Sequence, residues 1–188
     1  MSNSMLVRWS GAASVVFGVL VFVSGALRIA AGSKPLAAGL SFAAMFFGAL
    51  ALIGMFARQN ARAGALGLIG FVVALIGVML SAAQMYALTF ITPTLEEKFR
   101  DALAQVNSGP LGFLFPLGYG SFLFGFILFS LVIIRAKVLP RWAAIALIAG
   151  AVLNVAGIGE VIVRLAGILI FGAGAVWIGV ALWKNPSE

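Results

Sequence analysis

The charged residues of this chain stand almost only at the edges of long apolar runs. A bilayer core is about 30 Å thick and takes about 20 apolar residues per helical span. A charge at its centre is costly, so charged residues collect at the ends of spans. The pattern therefore predicts an integral membrane protein. The charge-free runs are 9–27, 35–57, 63–95, 102–134, 142–159 and 165–183.

These runs predict an all-α fold, a polytopic membrane helical bundle with six transmembrane helices that forms one domain over residues 1–188. The runs are continuously apolar and rich in Ala, Leu and Gly, whereas the strands of a membrane β-barrel alternate. Helices satisfy their own backbone hydrogen bonds in lipid, which suits such runs. The predicted spans are about 9–27, 36–57, 63–91, 111–134, 142–158 and 165–183.

The segment between the third and fourth spans has the pattern of a short amphipathic surface helix, about 94–107. Thr94 and Glu97 have the spacing of a capping box at its start. Apolar residues then recur every three or four positions, at Leu95, Phe99, Leu103 and Val106. We expect this helix to cap the mouth of the bundle, and a lid or docking surface is the alternative interpretation.

The distribution of basic residues predicts the orientation of the chain. Seven Lys and Arg residues fall at one set of span ends and five at the other. Trp9, Trp142 and Trp183 accompany the set of seven, and basic residues gather on the cytoplasmic side while Trp favours the membrane interface. We therefore place both termini in the cytoplasm and the protein in the plasma membrane.

The composition of the chain excludes several classes of function and of binding site. Hydrophobic residues make up 63% of the chain and charged residues 9%, which leaves no room for a soluble domain beside six spans. The net charge of +7 is scattered over span ends without a basic stripe, so no nucleic-acid partner is expected. The chain has no Cys and no His, which excludes disulfides and Cys/His metal sites. No cofactor or metal is predicted, since the carboxylates at 96, 97 and 101 fit a solvated helix face.

Two kinds of stripe recur within the spans. Small residues at helix-packing spacing predict close contacts within the chain, and a homodimer face is the alternative. A phenylalanine stripe predicts core or lipid-facing packing, and the lining of an apolar cavity is its alternative. The small residues are Gly64, Gly67, Gly70, Gly118, Ser121, Gly125, Gly167, Gly174 and Ala175, and the aromatic ones are Phe122, Phe126 and Phe129.

A few polar residues are the candidates for a ligand site or a transport pathway. They share a depth in the predicted outer half of the membrane, where an ionisable side chain is a functional candidate by default. We favour the interpretation that Glu160 marks the outer turn and that Arg164 extends to the headgroups. If the segment is helical, the two residues, four apart, could instead pair. The candidates are Gln84, Tyr86, Tyr119, Asn154, Glu160 and Arg164.

The loop after the fourth span carries Arg135, Leu139, Pro140, Arg141 and Trp142, a short R-x-x-x-L-P-R-W motif ahead of an apolar run. This loop resembles that of many uncharacterised bacterial multi-spanning membrane proteins of unknown function. The resemblance implies a bacterial inner-membrane protein and assigns no activity or site residue.

The absence of a catalytic constellation predicts a non-enzymatic structural or accessory membrane protein, with the bilayer, a membrane-protein partner or a second copy as its partners. The alternative is a small transporter, channel or lipophilic-ligand-binding protein that uses the outer polar residues. A polar cavity lined by Asn154, Gln84 and Glu160 would favour the alternative, and an interior closed by Ala, Leu and Phe would oppose it. An enzyme is the third hypothesis, with Glu160 as the one carboxylate at membrane depth.

Overall fold

The computed structural model describes residues 3–30, 34–99, 109–157 and 160–185, which are helical apart from short turns. A π-helical turn, Ala87–Ile91, joins the second helix to the third, and a 3-10 turn, Pro110–Phe113, precedes the fourth. The described part of the chain is all-α, as predicted. Its helices are α1 (Asn3–Ala30), α2 (Lys34–Tyr86), α3 (Thr92–Lys98), α4 (Leu114–Ala136), α5 (Arg141–Ala156) and α6 (Val161–Lys184).

Helix α2 folds back on itself at Gly64, whose φ of 57° and ψ of −164° lie outside the helical region. A straight helix would separate Phe42 from Tyr86 by about 66 Å, at 1.5 Å per residue. Their ring centroids are instead 5.8 Å apart, and those of Phe56 and Phe71 are 4.6 Å apart. The backbone at Gly64 is in a region open essentially to glycine, so this residue permits the reversal. We call residues 34–63 arm α2a and residues 65–86 arm α2b.

The helical segments form a closed ring in which neighbours run antiparallel. Helix α1 packs between arm α2a and α6, arm α2b packs on α4, and α5 packs on α6. Helices α4 and α5 touch each other much less than the other neighbouring helix pairs do. The core contains Phe17, Leu52, Phe126, Phe129 and Ile178, each at most 1% exposed. Both the start of α1 and the end of α6 therefore lie at one end of the bundle, which we call the terminal end.

By length and composition, four helices of the described chain could cross a membrane: Ser4–Arg28, Pro35–Leu95, Pro116–Ala136 and Val161–Lys184. Helix α5 is apolar but has 16 residues. The number differs from the six predicted spans because one of these four, Pro35–Leu95, includes both arms of α2 and the non-helical backbone at Gly64, and because α5 is short. The charges at Arg58 and Arg62 mark the end of an apolar run shortly before the reversal.

Close glycine contacts inside the chain account for most of the small-residue stripes. A methyl group added at Gly70 would lie 2.9 Å from Phe129 N of α4, and one at Gly174 would lie 2.9 Å from Ala143 O of α5. At such positions the predicted packing within the chain is confirmed. The prediction of close helix packing is wrong at Gly64. This residue forms the reversal, and a methyl group added to it would have no heavy atom of another part of the chain within 4 Å.

The predicted capping box at Thr94 is wrong. Helix α3 begins at Thr92 with Ile91 as its N-cap, and the Thr94 hydroxyl donates a hydrogen bond to Phe90 O at 3.4 Å within the continuing helix. Pro93 is tolerated because it lies in the first turn of α3, where a missing N–H leaves no bond unmade. Phe99 is 59% exposed, and the remainder of the predicted surface helix, 100–107, lies outside the described residues.

Candidate functional site

A half-open cavity of about 150 Å³ lies between the helices, in the half of the bundle remote from the terminal end. Both arms of α2 and the helices α1, α4, α5 and α6 all contribute to its lining. The lining comes from the last third of α1, the start of α2a, the end of α2b, the start of α4, the end of α5 and the start of α6. Because neighbours are antiparallel, these six pieces meet at one depth, and residues far apart in sequence converge there.

Two arginines line this cavity, and they give it an unbalanced positive charge. Arg28 comes from the end of α1 and donates a hydrogen bond to Met85 Sδ at 3.9 Å, a weak acceptor. Arg164 comes from the first turn of α6, and its Nε atom is buried without a hydrogen-bond partner. Among the described residues of the lining none is acidic. A guanidinium stays charged in proteins, so the site favours an anion.

Neutral polar groups lie beside the two arginines and complete the cationic end of the cavity. Tyr119 of α4 donates its hydroxyl hydrogen to Asn154 Oδ1 of α5 at 2.7 Å, which bridges the sparsely packed boundary between these helices. Because Asn154 Oδ1 accepts this bond, its amide NH₂ is the part that can donate to a ligand. The other polar side chains of the lining are Ser24, Ser41, Ser81 and Gln84.

The opposite end of the cavity, nearer the middle of the bundle, is apolar and aromatic. Phe122 and Phe171 line it with ring centroids 5.6 Å apart, beside Met45. Behind them, the ring centroid of Phe126 lies 5.1 Å from that of Phe171, and that of Phe17 lies 6.0 Å from it. Of the predicted phenylalanine stripe, Phe126 and Phe129 are core, as expected, while Phe122 faces the cavity. The site therefore has a cationic, hydrogen-bonding end and an aromatic end.

The structure brings four of the six candidate residues into this one cavity: Gln84, Tyr119, Asn154 and Arg164. Tyr86 is 47% exposed and packs its ring on Phe42 and Phe90 instead. Glu160 is exposed and precedes α6 as its N-cap residue with extended backbone. Since Arg164 Nε has no partner, the carboxylate of Glu160 accepts no hydrogen bond from it.

Sequence reasoning missed Arg28 as a site residue, together with the three serines of the lining. Arg28 ends an apolar run, so its position fits a charge that sets orientation equally well. Only the contacts between helices show that its side chain reaches the cavity rather than the headgroups. The signal available in the sequence was its depth, because Arg28 and Arg164 both stand at the predicted outer ends of their spans.

Among the described residues, two polar side chains that do not line the cavity have buried polar atoms without a hydrogen-bond partner. Gln59 is 1% exposed and neither atom of its amide has a hydrogen-bond partner, and Ser130 Oγ is also buried without one. Within the described ranges, no group of three or more Asp, Glu, His or Cys side chains could hold a metal ion. The side chains at 96 and 97 and residue 101 lie outside the described part of the structure.

No protein-family model matches the sequence, and no curated protein or solved structure is significantly similar to it.

Proposed function

We propose that this chain is a membrane protein that binds an oxyanion inside its helical bundle, as a binding or transport protein. The observation that carries this proposal is the pair Arg28 and Arg164 in one cavity with no acidic residue among the described lining. This function corresponds to the transport or ligand-binding alternative drawn from the sequence. It takes precedence over a purely structural role, because packing alone gives no reason to place two cations around an interior space.

Arg28 and Arg164 are both partly buried, and the energetics of a partly buried cation support an anionic ligand. Removing a charged group from water is strongly unfavourable unless a partner compensates it. Arg164 has its Nε buried without an acceptor, and Arg28 has a thioether sulfur, which accepts weakly. A carboxylate, phosphate or sulfate group would accept from both guanidiniums, and such charge-assisted bonds are roughly twice as strong as neutral ones.

Binding explains the lining better than catalysis does. The chain has no His or Cys, and the described lining residues include no carboxylate that could act as a general base. The serine and tyrosine hydroxyls lack a partner that would activate them as nucleophiles. Among them, Ser24 donates to Val21 O at 3.0 Å and Tyr119 donates to Asn154, so both serve local structure.

We further propose six membrane crossings with both termini cytoplasmic. Arms α2a and α2b each supply one crossing, and α5 supplies a short one of about 24 Å, at 1.5 Å per residue. At the terminal end, Arg8 lies 4.7 Å from the Trp183 ring centroid and Arg141 lies 5.3 Å from that of Trp142, as suits a cytoplasmic interface belt. The cavity then lies in the outer half of the membrane of a bacterial cell.

The anion-binding proposal is tested by equilibrium binding to the full chain in lipid nanodiscs, with acetate, phosphate and benzoate as probes. We expect saturable binding of at least one probe, and a 10- to 100-fold loss of affinity in Arg164→Met and in Arg28→Met. That range corresponds to about 1.5–3 kcal/mol for a hydrogen bond to a charged group. Arg62→Met is the matched control, because Arg62 is exposed near Gly64 and should leave affinity unchanged. Absence of binding, or equal affinity in all three variants, would overturn the proposal.

The topology is tested by single cysteines in a chain that naturally has none. Asn60 and Glu160 are both exposed and lie at opposite ends of the bundle. In intact cells, an impermeant maleimide should label Glu160→Cys, whereas Asn60→Cys should react only after the membrane is opened. The reverse pattern would show that the termini face outward.

A further inference from the structure

We infer that the ligand is a compact organic acid, with one carboxylate on an apolar body of about five to eight carbon atoms, such as benzoate, phenylpropionate or hexanoate. This inference rests on the proposed oxyanion binding and adds the class of molecule. It follows from the size of the cavity, the separation of its cationic and aromatic ends, and the shape of its floor.

The polarity of the lining changes in the same direction along two helices. On α6, Arg164, Ile168 and Phe171 share one face and lead from the cation to the aromatic floor. On α1, Arg28 and Val21 are also seven residues apart on one face. Seven residues span about 10 Å along a helix. A ligand that satisfies both ends is therefore an amphiphile about 10 Å long, with its charge toward the outer end of the bundle.

The volume limits the apolar body. A buried apolar cavity near 150 Å³ is known to accommodate a benzene molecule, and the present cavity has about the same volume. An acyl chain that runs from the arginines toward the aromatic end meets the floor after about 10 Å. There, Phe171 is 4% exposed, and the ring centroids of Phe17 and Phe126 lie 6.0 and 5.1 Å from its own. The floor therefore closes the cavity against long chains, and its two aromatic rings suit a planar ring as well as a short alkyl chain.

The charged end excludes neutral molecules of the same shape. Benzyl alcohol would fill the aromatic part but would leave two guanidiniums without a counter-ion. Acetate would pair with the guanidiniums but would leave the aromatic part empty. Both parts of the ligand are therefore needed for tight binding.

The test is a ligand series against the wild-type chain in nanodiscs, with empty nanodiscs as the control for partition into lipid. The probes are acetate, hexanoate, benzoate, palmitate and benzyl alcohol. Each buried methylene contributes about fourfold in affinity, so hexanoate and benzoate should bind on the order of 100-fold more tightly than acetate. Palmitate should bind no more tightly than hexanoate, and benzyl alcohol should not compete. In Phe122→Ala, the ratio of benzoate affinity to acetate affinity should fall at least fivefold.

The outcomes separate this inference from the proposed function. If acetate binds as tightly as benzoate, the oxyanion site stands and the organic-acid inference is wrong. If palmitate binds far more tightly than hexanoate, the limit on chain length is wrong. If phosphate binds and no acid of the series does, the oxyanion site stands and the organic-acid inference is wrong; if neither phosphate nor any acid binds, the proposed function itself falls. The wild-type series decides these cases without any variant, so a variant that fails to fold does not affect them.

Discussion

Helices α1 and α6 approach so closely at Gly18 and Gly172 that a single methyl group should separate them. A methyl group added at Gly18 would lie 2.5 Å from Gly172 O and 2.8 Å from Val176 Cγ2, where ordinary contact begins near 3.4 Å. The contact is reciprocal, because a methyl group at Gly172 would lie 2.9 Å from Gly18 O. The obstructing atom is a backbone carbonyl oxygen, which cannot rotate away as a side chain can. Gly18→Ala must therefore move the helices apart by about 0.9 Å, the difference between 3.4 and 2.5 Å.

Gly120 of α4 is the matched control, since no heavy atom lies within 4 Å of a methyl group added there. Alanine is favoured over glycine inside a helix by about 1 kcal/mol, so Gly120→Ala should raise the free energy of unfolding by up to that amount. Gly18→Ala gains the same helix preference but loses about 1–3 kcal/mol to overpacking. We expect Gly18→Ala to be less stable than Gly120→Ala by about 1–3 kcal/mol.

The measurement is equilibrium unfolding by SDS in mixed micelles, followed by the fluorescence of the four tryptophans. Gly18→Ala and Gly120→Ala should move the midpoint in different directions or by clearly different amounts. Equal free energies of unfolding in the two variants would refute the reasoning that glycine at position 18 sets the distance between α1 and α6. A destabilised Gly120→Ala would show that the space seen around Gly120 is occupied.

Three further predictions use the same unfolding assay. Gly64→Ala should lower the free energy of unfolding by about 1–3 kcal/mol, because the backbone at Gly64 lies in a region open essentially to glycine; an unchanged value would mean that the reversal does not need glycine. In a double-mutant cycle, Tyr119→Phe and Asn154→Ala should show a coupling of about 0.6 kcal/mol, with about 1.7 kcal/mol as the upper bound for such bonds in membranes; strictly additive effects would contradict the hydrogen bond. Gln59→Met should raise stability, because an unsatisfied buried polar group destabilises by about 1–3 kcal/mol; a loss of stability would reveal a partner for the amide.

The depth of residues in this bundle could be predicted from sequence, whereas the direction in which they face could not. Charge-free runs give the position of each residue along its helix, and Gln84, Asn154 and Arg164, which stand near the same set of run ends, line one cavity. In a soluble helix, apolar periodicity shows which face is buried. In a membrane, the lipid side and the core side are both apolar, so the pattern carries much less of this information.

Helix geometry alone shows that Gln84 and Tyr86 could not both line one cavity. Gln84 and Tyr86 are two residues apart on arm α2b, and residues at that spacing do not share a helix face. Only one of them could line a given cavity, and the structure selects Gln84, while Tyr86 packs on Phe42. The choice between the two depends on which neighbour packs against α2b, and this follows from the reversal at Gly64 rather than from any local pattern.

The position of Glu160 bears directly on the proposed function. Pairing at a spacing of four requires both residues in one helix. Helix α6 begins at Val161, and Glu160 has an extended backbone with φ of −115° and ψ of 98°. Its carboxylate therefore stays at the exposed helix end while Arg164 lines the cavity. Had Glu160 paired with Arg164, the cavity would hold one net cation fewer and a neutral polar ligand would fit it. Because α6 starts one residue after Glu160, the carboxylate stays outside the cavity and the cavity keeps its positive charge. An anion is therefore the first ligand to test.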